Sequence, residues 1–188
     1  GVNLLYNELI NDPSAIETVY ISVITFDSQP QMVTPLTELT QFLAPKLNAG
    51  GSTSLGGGLR LLSDSLDRDI IPNSPERKGD YKPLVFLMTD GMPTDSWERE
   101  ADAIKSRTKQ KVATIIALGC GGGVDVNTLK RITEVVLLME NITPDMINQF
   151  FKWVSQSVST ASVSAQAAGV GEAKAQLPPP PEGIQVVL

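Results

Sequence analysis

Histidine is absent from all 188 residues, and a single cysteine, Cys120, is present. Ser-His-Asp and Cys-His nucleophilic systems need an imidazole to carry the proton, and common zinc sites need its nitrogen or several thiolates. Those chemistries are closed to this chain. A lone cysteine builds no internal disulfide framework, which favours a reducing compartment. Basic residues are also scarce, with 15 Lys and Arg against 21 Asp and Glu and a net charge of −6. Phosphate backbones are bound by clustered Lys and Arg, so nucleic acid is not expected as a partner. No apolar run approaches the roughly 18 residues of a spanning helix, and no basic-then-apolar leader opens the chain. Neither a membrane nor secretion is therefore expected, and the cytoplasm is the default compartment.

What remains suits one globular domain, with 41% hydrophobic and 19% charged residues over a length that can bury a core. Leu4, Leu5, Leu9 and Ile10 recur at helical spacing, and Asn11-Asp12-Pro13 stops that helix, because proline denies its predecessor the helical conformation and brings no N–H. Residues 18–26, TVYISVITF, are nearly continuous in β-branched and aromatic character, as in a strand covered on both faces. A weaker strand is expected at 31–33 and, after Pro35, a short helix over 36–43. A glycine-rich loop at 49–53 leads into a helix over 55–69, whose Leu55, Leu59, Leu62 and Leu66 fall three or four apart and whose cap is Thr53 or Ser54.

Residues 70–81 read as a surface loop, followed by a strand at 83–88. Asp95-Ser96-Trp97-Glu98 has the form of a capping box, Asp95 accepting from the Glu98 N–H and Glu98 reaching back, for a helix ending near Thr108. A strand at 112–118, a helix at 127–133 and a strand at 135–139 come next. The last helix starts at Thr143 or Pro144 and carries Ile147, Phe150, Phe151, Val154 and Val158 as its core stripe. Strands alternating with helices predict an α/β fold, a Rossmann-like, doubly wound and mostly parallel sheet flanked by helices. The domain is expected over 1–160. Residues 161–188, rich in Ala, Ser and Pro, are expected as a poorly ordered tail whose proline run at 178–181 acts as a linker.

One stretch carries chemistry. LMTDGMPTD, at 87–95, drives an apolar strand into Asp90 and then turns at Gly91. In open parallel sheets, ligands sit beyond the carboxyl ends of the strands, where Asp90 is placed. Thr53 lies in the glycine-rich loop, 37 positions earlier (90 − 53). A carboxylate and a hydroxyl brought together are hard oxygen ligands suited to Mg²⁺, with Mn²⁺ or Ca²⁺ as alternatives. The plainer readings are a turn residue for Asp90 and a helix cap for Thr53. Asp95 reads as a cap that could also orient a ligand, Ser52 and Ser54 as caps or loop residues, and Asp27 as a turn residue. Trp97, one turn from the candidate ion, could line a ligand surface.

GGSTSLGGG is not a phosphate loop, since Gly57 stands where that motif needs lysine, and GCGGGV has Val124 where a dinucleotide fingerprint needs its third glycine. Cys120, with no histidine to activate it, reads as an inert apolar residue.

The pairing of GGSTSLGGGL with VFLMTDGMPTD in a βα chain resembles the von Willebrand factor A family, whose members hold a divalent ion at a metal-ion-dependent adhesion site. In that family the ion is bound by a D-x-S-x-S motif after the first strand, a Thr in a glycine-rich loop and an Asp in a TDG turn. The resemblance therefore implies metal ligation by Thr53 and Asp90. ISVITFDS, KGDYKPLVFLMTDGMPTDSW and FFKWVSQSV look like the bacterial TerY-like branch, linked to tellurite resistance and stress response. The likeness covers residues 1–158. D-x-S-x-S occurs nowhere in the chain, which opens in what resembles the family's first helix, so the motif and its strand are expected upstream. Without that strand, unpaired edges and uncovered apolar faces are expected.

The function implied is a binding module without enzymatic activity, whose ion keeps one position open for an acidic side chain of a protein partner. Two alternatives stand beside it. One is a metal-dependent phosphoesterase using Asp90, for which no second acid is placed as nucleophile or base. The other is a structural scaffold that has lost its ion.

Overall fold

From residue 55 onward strand and helix alternate, and the sheet is parallel wherever a helix makes the connection. The computed structural model describes residues 1–48, 50–72, 74–77, 79–109, 113–168 and 177–187. In chain order the elements are α1 (Val2–Leu9), α2 (Pro13–Thr18), β1 (Tyr20–Thr25), β2 (Gln31–Glu38), a 3-10 turn (Leu39–Gln41), α3 (Leu55–Asp69), β3 (Leu84–Thr89), α4 (Glu98–Lys109), β4 (Thr114–Cys120), α5 (Val126–Ile132), β5 (Val135–Met139), α6 (Pro144–Ala168) and β6 (Gln185–Val187). β3, β4 and β5 pair in parallel, and β6 adds an antiparallel edge.

β4 shows why its sequence is apolar throughout. Successive side chains of a strand point to opposite faces. Ile115 and Ala117 join Leu55, Leu59, Ala101, Ile104 and Leu129 from α3, α4 and α5, whereas Ile116 and Leu118 join Phe150, Trp153 and Val154 from α6. Helices on both faces are the doubly wound α/β arrangement. A third cluster, including Leu9, Ala15, Val19, Ile21 and Phe42, holds α1 and α2 against β1.

Pro13 ends one helix and begins another. It stands at the first position of α2, where no N–H is needed, with Asp12 as cap accepting the Ser14 N–H at 2.9 Å. Pro35 does not start a helix over 36–43. It lies inside β2, which pairs antiparallel with β1, where Ile21 faces Thr37 and Val23 faces Thr34. Two residues therefore oppose Ser22, a bulge that tolerates a proline on an edge strand. Strand pairing along β1 outweighs the local helical pattern as far as Glu38.

The two sheets are separate. β1 pairs with β2 and β3 with β4, and among the described residues the other edges of β1 and β3 have no strand beside them. Within the segment expected as a tail, residues 161–168 continue α6, and β6 pairs with β5 from Val136 to Leu138. The proline run lies along α6, with Trp153 Nε1 donating to the Pro178 carbonyl at 2.9 Å. Residues 169–176 lie outside the described residues, as does Val112 at the start of the expected fourth strand. Among the described residues no helix is long and apolar enough to cross a membrane.

Phe150 is 1% exposed and Leu43 is 85% exposed. Phe150→Ala is expected to cost about 3–5 kcal/mol in urea denaturation, whereas Leu43→Ala should stay within about 0.5 kcal/mol of the parent.

Candidate metal centre

β3 stops at Thr89, whose buried side chain donates to the Gly91 carbonyl at 3.3 Å and bends the chain. Asp90 thus stands one residue beyond the carboxyl end of the strand, exposed. The loop that follows is clasped to the glycine-rich loop ahead of α3. The Thr53 N–H donates to Thr94 Oγ1 at 3.1 Å, and the Thr94 N–H donates to the Thr53 carbonyl at 2.9 Å. With its backbone held this way, Thr53 turns its hydroxyl toward Gly91, where a Cβ would sit 3.3 Å from Oγ1. Among the described residues, no protein hydrogen bond occupies the Thr53 hydroxyl or the Asp90 carboxylate.

Asp95 does not form the expected capping box. Its carboxylate accepts from the Gly56 N–H at 3.0 Å and the Gly57 N–H at 2.9 Å, so it caps α3 rather than α4. Glu98 instead accepts from the Trp97 N–H at 3.2 Å. Gly56 is buried, so the first N–H groups of α3 cannot turn to water, and a carboxylate there also meets the positive end of the helix dipole. Ser54, at the cap position of α3, makes no capping bond, and its hydroxyl points instead to the Ser28 carbonyl at 3.4 Å.

The three glycines of this turn are required by close approach. A Cβ on Gly56 would strike the Ser96 carbonyl, one on Gly57 the Pro30 ring, and one on Gly58 would lie 2.7 Å from Phe26 Cβ.

Asp27 is a turn residue, accepting from the Gln29 N–H at 3.0 Å. Beside it, Ser28 Oγ accepts the Ser52 N–H at 3.1 Å. Trp97 packs against the core beneath α3 and α4 with the Arg131 guanidinium 5.6 Å from its ring centre, so its indole has a structural role already. Cys120 ends β4. Burial, and secondarily the negative charge of Asp90, push its thiol up to about 11, which makes it inert and places it within the field of that carboxylate.

Thr94 and Ser28 were not singled out from the sequence. Their roles depend on backbone groups 41 and 24 positions away, and no short-range pattern marks such partners.

The donor set is therefore one hydroxyl and one carboxylate, both hard oxygens suited to Mg²⁺, Mn²⁺ or Ca²⁺. Among the described residues no group of three or more His, Cys, Asp and Glu could hold an ion.

The von Willebrand factor type A domain matches residues 5–166. Among solved structures, the chain is similar to proximal thread matrix protein 1 from the mussel byssus, at 20% identity and a TM-score of 0.56 over 81% of this chain and 40% of that one. It is similar also to the same mussel protein with a zinc-occupied MIDAS motif, at 19% identity and a TM-score of 0.56 over 85% and 41%. At these identities the likeness is one of fold, and the chain spans about 40% of the length of those chains. No curated protein matches it in sequence.

Asp95→Ala is expected to cost about 1–2 kcal/mol through the lost cap, measured by urea unfolding, while Ser54→Ala should leave the midpoint unchanged. With the Cys120 thiol near 11, at pH 8 only about one in a thousand is ionised. Iodoacetamide labelling should therefore be slow at pH 8 and still be accelerating above pH 10. Asp90→Asn removes a negative charge that disfavours the thiolate and should move that profile to lower pH.

Proposed function

Because the chain belongs to the von Willebrand factor type A domain family, we propose that it is a divalent-metal-dependent protein-binding module, with Asp90 and Thr53 among the ligands of the ion. The observation that carries this reading is the clasp between Thr53 and Thr94. It brings a hydroxyl close to a carboxylate at the carboxyl end of β3, and among the described residues neither group is hydrogen-bonded. A mussel protein of the same fold holds zinc at its MIDAS motif, which supports a divalent ion at the corresponding end of this sheet. Mg²⁺ is the preferred ion here. The chain has no imidazole, its only thiol is buried, and the remaining donors are oxygens. Water completes the shell at the positions these two side chains leave open.

The partner supplies an acidic side chain to the ion. With a net charge of −6, the chain repels an acidic protein unless a cation lies between them, so the ion acts as a switch for recognition rather than as an accessory. The module is read as one that binds and does not catalyse, since it lacks imidazole and Asp27, the other acid lining the same cleft as Asp90, is engaged by the Gln29 N–H as a turn residue. The resemblance of ISVITFDS and FFKWVSQSV to the TerY-like branch supports reading it as part of a bacterial, cytoplasmic stress system of the tellurite-resistance kind.

Titration with MnCl₂, followed by water-proton relaxation, tests the assignment. Residues 1–188, offering two protein ligands, should bind weakly, with Kd on the order of 1 mM or above. Asp90→Ala should abolish that binding, and Thr53→Val should weaken it. Unchanged affinity in Asp90→Ala would remove Asp90 from the site.

A further inference from the structure

The loops at the carboxyl ends of β3, β4 and β5 form a surface continuous with the candidate ion site. Thr89 pairs with Gly119 and Cys120 with Met139, so Asp90, Cys120 and Met139 stand level across three adjacent strands. At ~4.8 Å per strand, the chain leaving Met139 lies about 10 Å from Asp90. Gly121, Gly122 and Gly123 occupy the interval with bare backbone. A Cβ on Gly123 would lie 3.1 Å from the Asp90 carbonyl oxygen, and one on Gly121 would lie 3.2 Å from Ile142 Cδ1. On Gly122 a Cβ would meet nothing within 4 Å among the described residues. The result is a shelf of glycine backbone with Asp90 at one side and Ile142 at the other. Ile142 is 48% exposed, and Met92, two residues past Asp90, is 61% exposed. Apolar residues exposed singly carry no meaning, but these two lie in the loops on either side of the shelf.

Charge decides what fits across them. The segments at this end of the two sheets are 26–30, 50–54, 90–97, 121–125 and 140–143. They contain Asp27, Asp90, Asp95, Asp125 and Glu140 and neither Lys nor Arg. Arg99, the second residue of α4, is the first base beyond the loop that carries Asp90. Asp95 is taken up by the Gly56 and Gly57 N–H groups and Asp125 by those of Asn127 and Thr128. Glu140 is exposed and, among the described residues, in no ion pair. A partner bringing carboxylates alone is repelled everywhere but at the ion, and a neutral polar one gains nothing from the apolar residues. We infer that the face spanning Asp90, the glycine shelf and Ile142 docks a protein segment whose ion-binding carboxylate is followed by bulky apolar residues and flanked by Lys or Arg.

The carboxylate in this pattern rests on the ion proposed above, whereas the apolar and basic neighbours rest on the shelf and its rim. At ~3.3 Å per residue, about three residues of an extended segment cross the shelf, so the base that meets Glu140 stands about three or four positions from the acid. Basic flanks also speed the encounter with an acidic rim, which makes the binding fall as salt rises.

Fluorescence anisotropy with residues 1–188 provides the test. The probe is a labelled peptide, Gly-Lys-Lys-Asp-Ile-Leu-Lys-Lys-Gly, in excess MnCl₂. A form with Asn in place of Asp, used in EDTA, reads the shelf and rim without the ion. In both media, replacing the peptide's Ile-Leu by Ser-Ser should weaken binding about fivefold or more, and replacing its lysines by serine about tenfold or more. On the protein, Glu140→Lys should weaken the lysine peptides about fivefold and Ile142→Ser about threefold. Raising NaCl from about 50 to 200 mM should weaken them further. No binding of the lysine peptides in either medium, equal binding of serine-flanked and lysine-flanked peptides, or indifference to both protein variants would overturn the inference. Loss of every Mn²⁺ effect, with the peptide and variant differences kept in EDTA, would support the shelf and rim and remove the ion.

Discussion

Asp95 holds the first turn of α3 from a position 39 residues along the chain, and the candidate site depends on that grip. The N–H groups of Gly56 and Gly57 have no acceptor within their own helix, and the surrounding packing excludes water from Gly56. A carboxylate from the loop after β3 satisfies both. In doing so it draws that loop across the end of α3, close enough for Thr53 and Thr94 to exchange two further hydrogen bonds. The glycines at 56, 57 and 58 permit the approach, because any Cβ there would meet Ser96, Pro30 or Phe26. Thr53 is left with its hydroxyl beside Gly91, and Asp90 is left at the exposed tip of its strand.

Packing behind this clasp is conventional α/β layering. β4 is covered on both faces, so the sheet behind Asp90 cannot shift without opening two cores. Arg60–Glu100 and Arg107–Asp67 tie α3 to α4, and Arg131–Asp102 ties α4 to α5. These pairs are largely exposed and each contributes little, so the apolar layers set the helix positions and the ion pairs trim them. The contrast lies at the other edge of the sheet, where β1 and β3 face one another across a channel and, among the described residues, no strand pairs with their inner edges. The candidate ion site opens at one mouth of that channel, with Thr53 and Asp90 among its lining residues.

Much of the architecture was legible because it rests on short-range pattern. The leucines of α3 recur at helical spacing, the apolar run of β4 requires two covered faces, and the stripe of α6 appears in the core with Phe150 and Val154 buried. Where the sequence misled, longer-range pairing overrode a local rule. Pro35 reads as a helix start until β1 supplies a partner for β2, and Pro13, which stops α1, also satisfies the requirement for starting α2. Asp95 followed by Glu98 fits a capping box for the nearer helix, yet the same carboxylate serves the farther one, where Gly56 is buried.

By itself, then, the sequence determined the alternation of helix and strand from α3 to the start of α6, that imidazole chemistry is closed, and that an aspartate stands at the tip of a buried strand. Those properties depend on residue type and on periodicity over a few turns. Only the tertiary structure decided that Thr94 clasps Thr53, that Asp95 caps α3, and that β2 runs on to Glu38 beside β1. The physical reason is that backbone donors and acceptors take whichever partners burial leaves within reach, and separation along the chain places no limit on that choice.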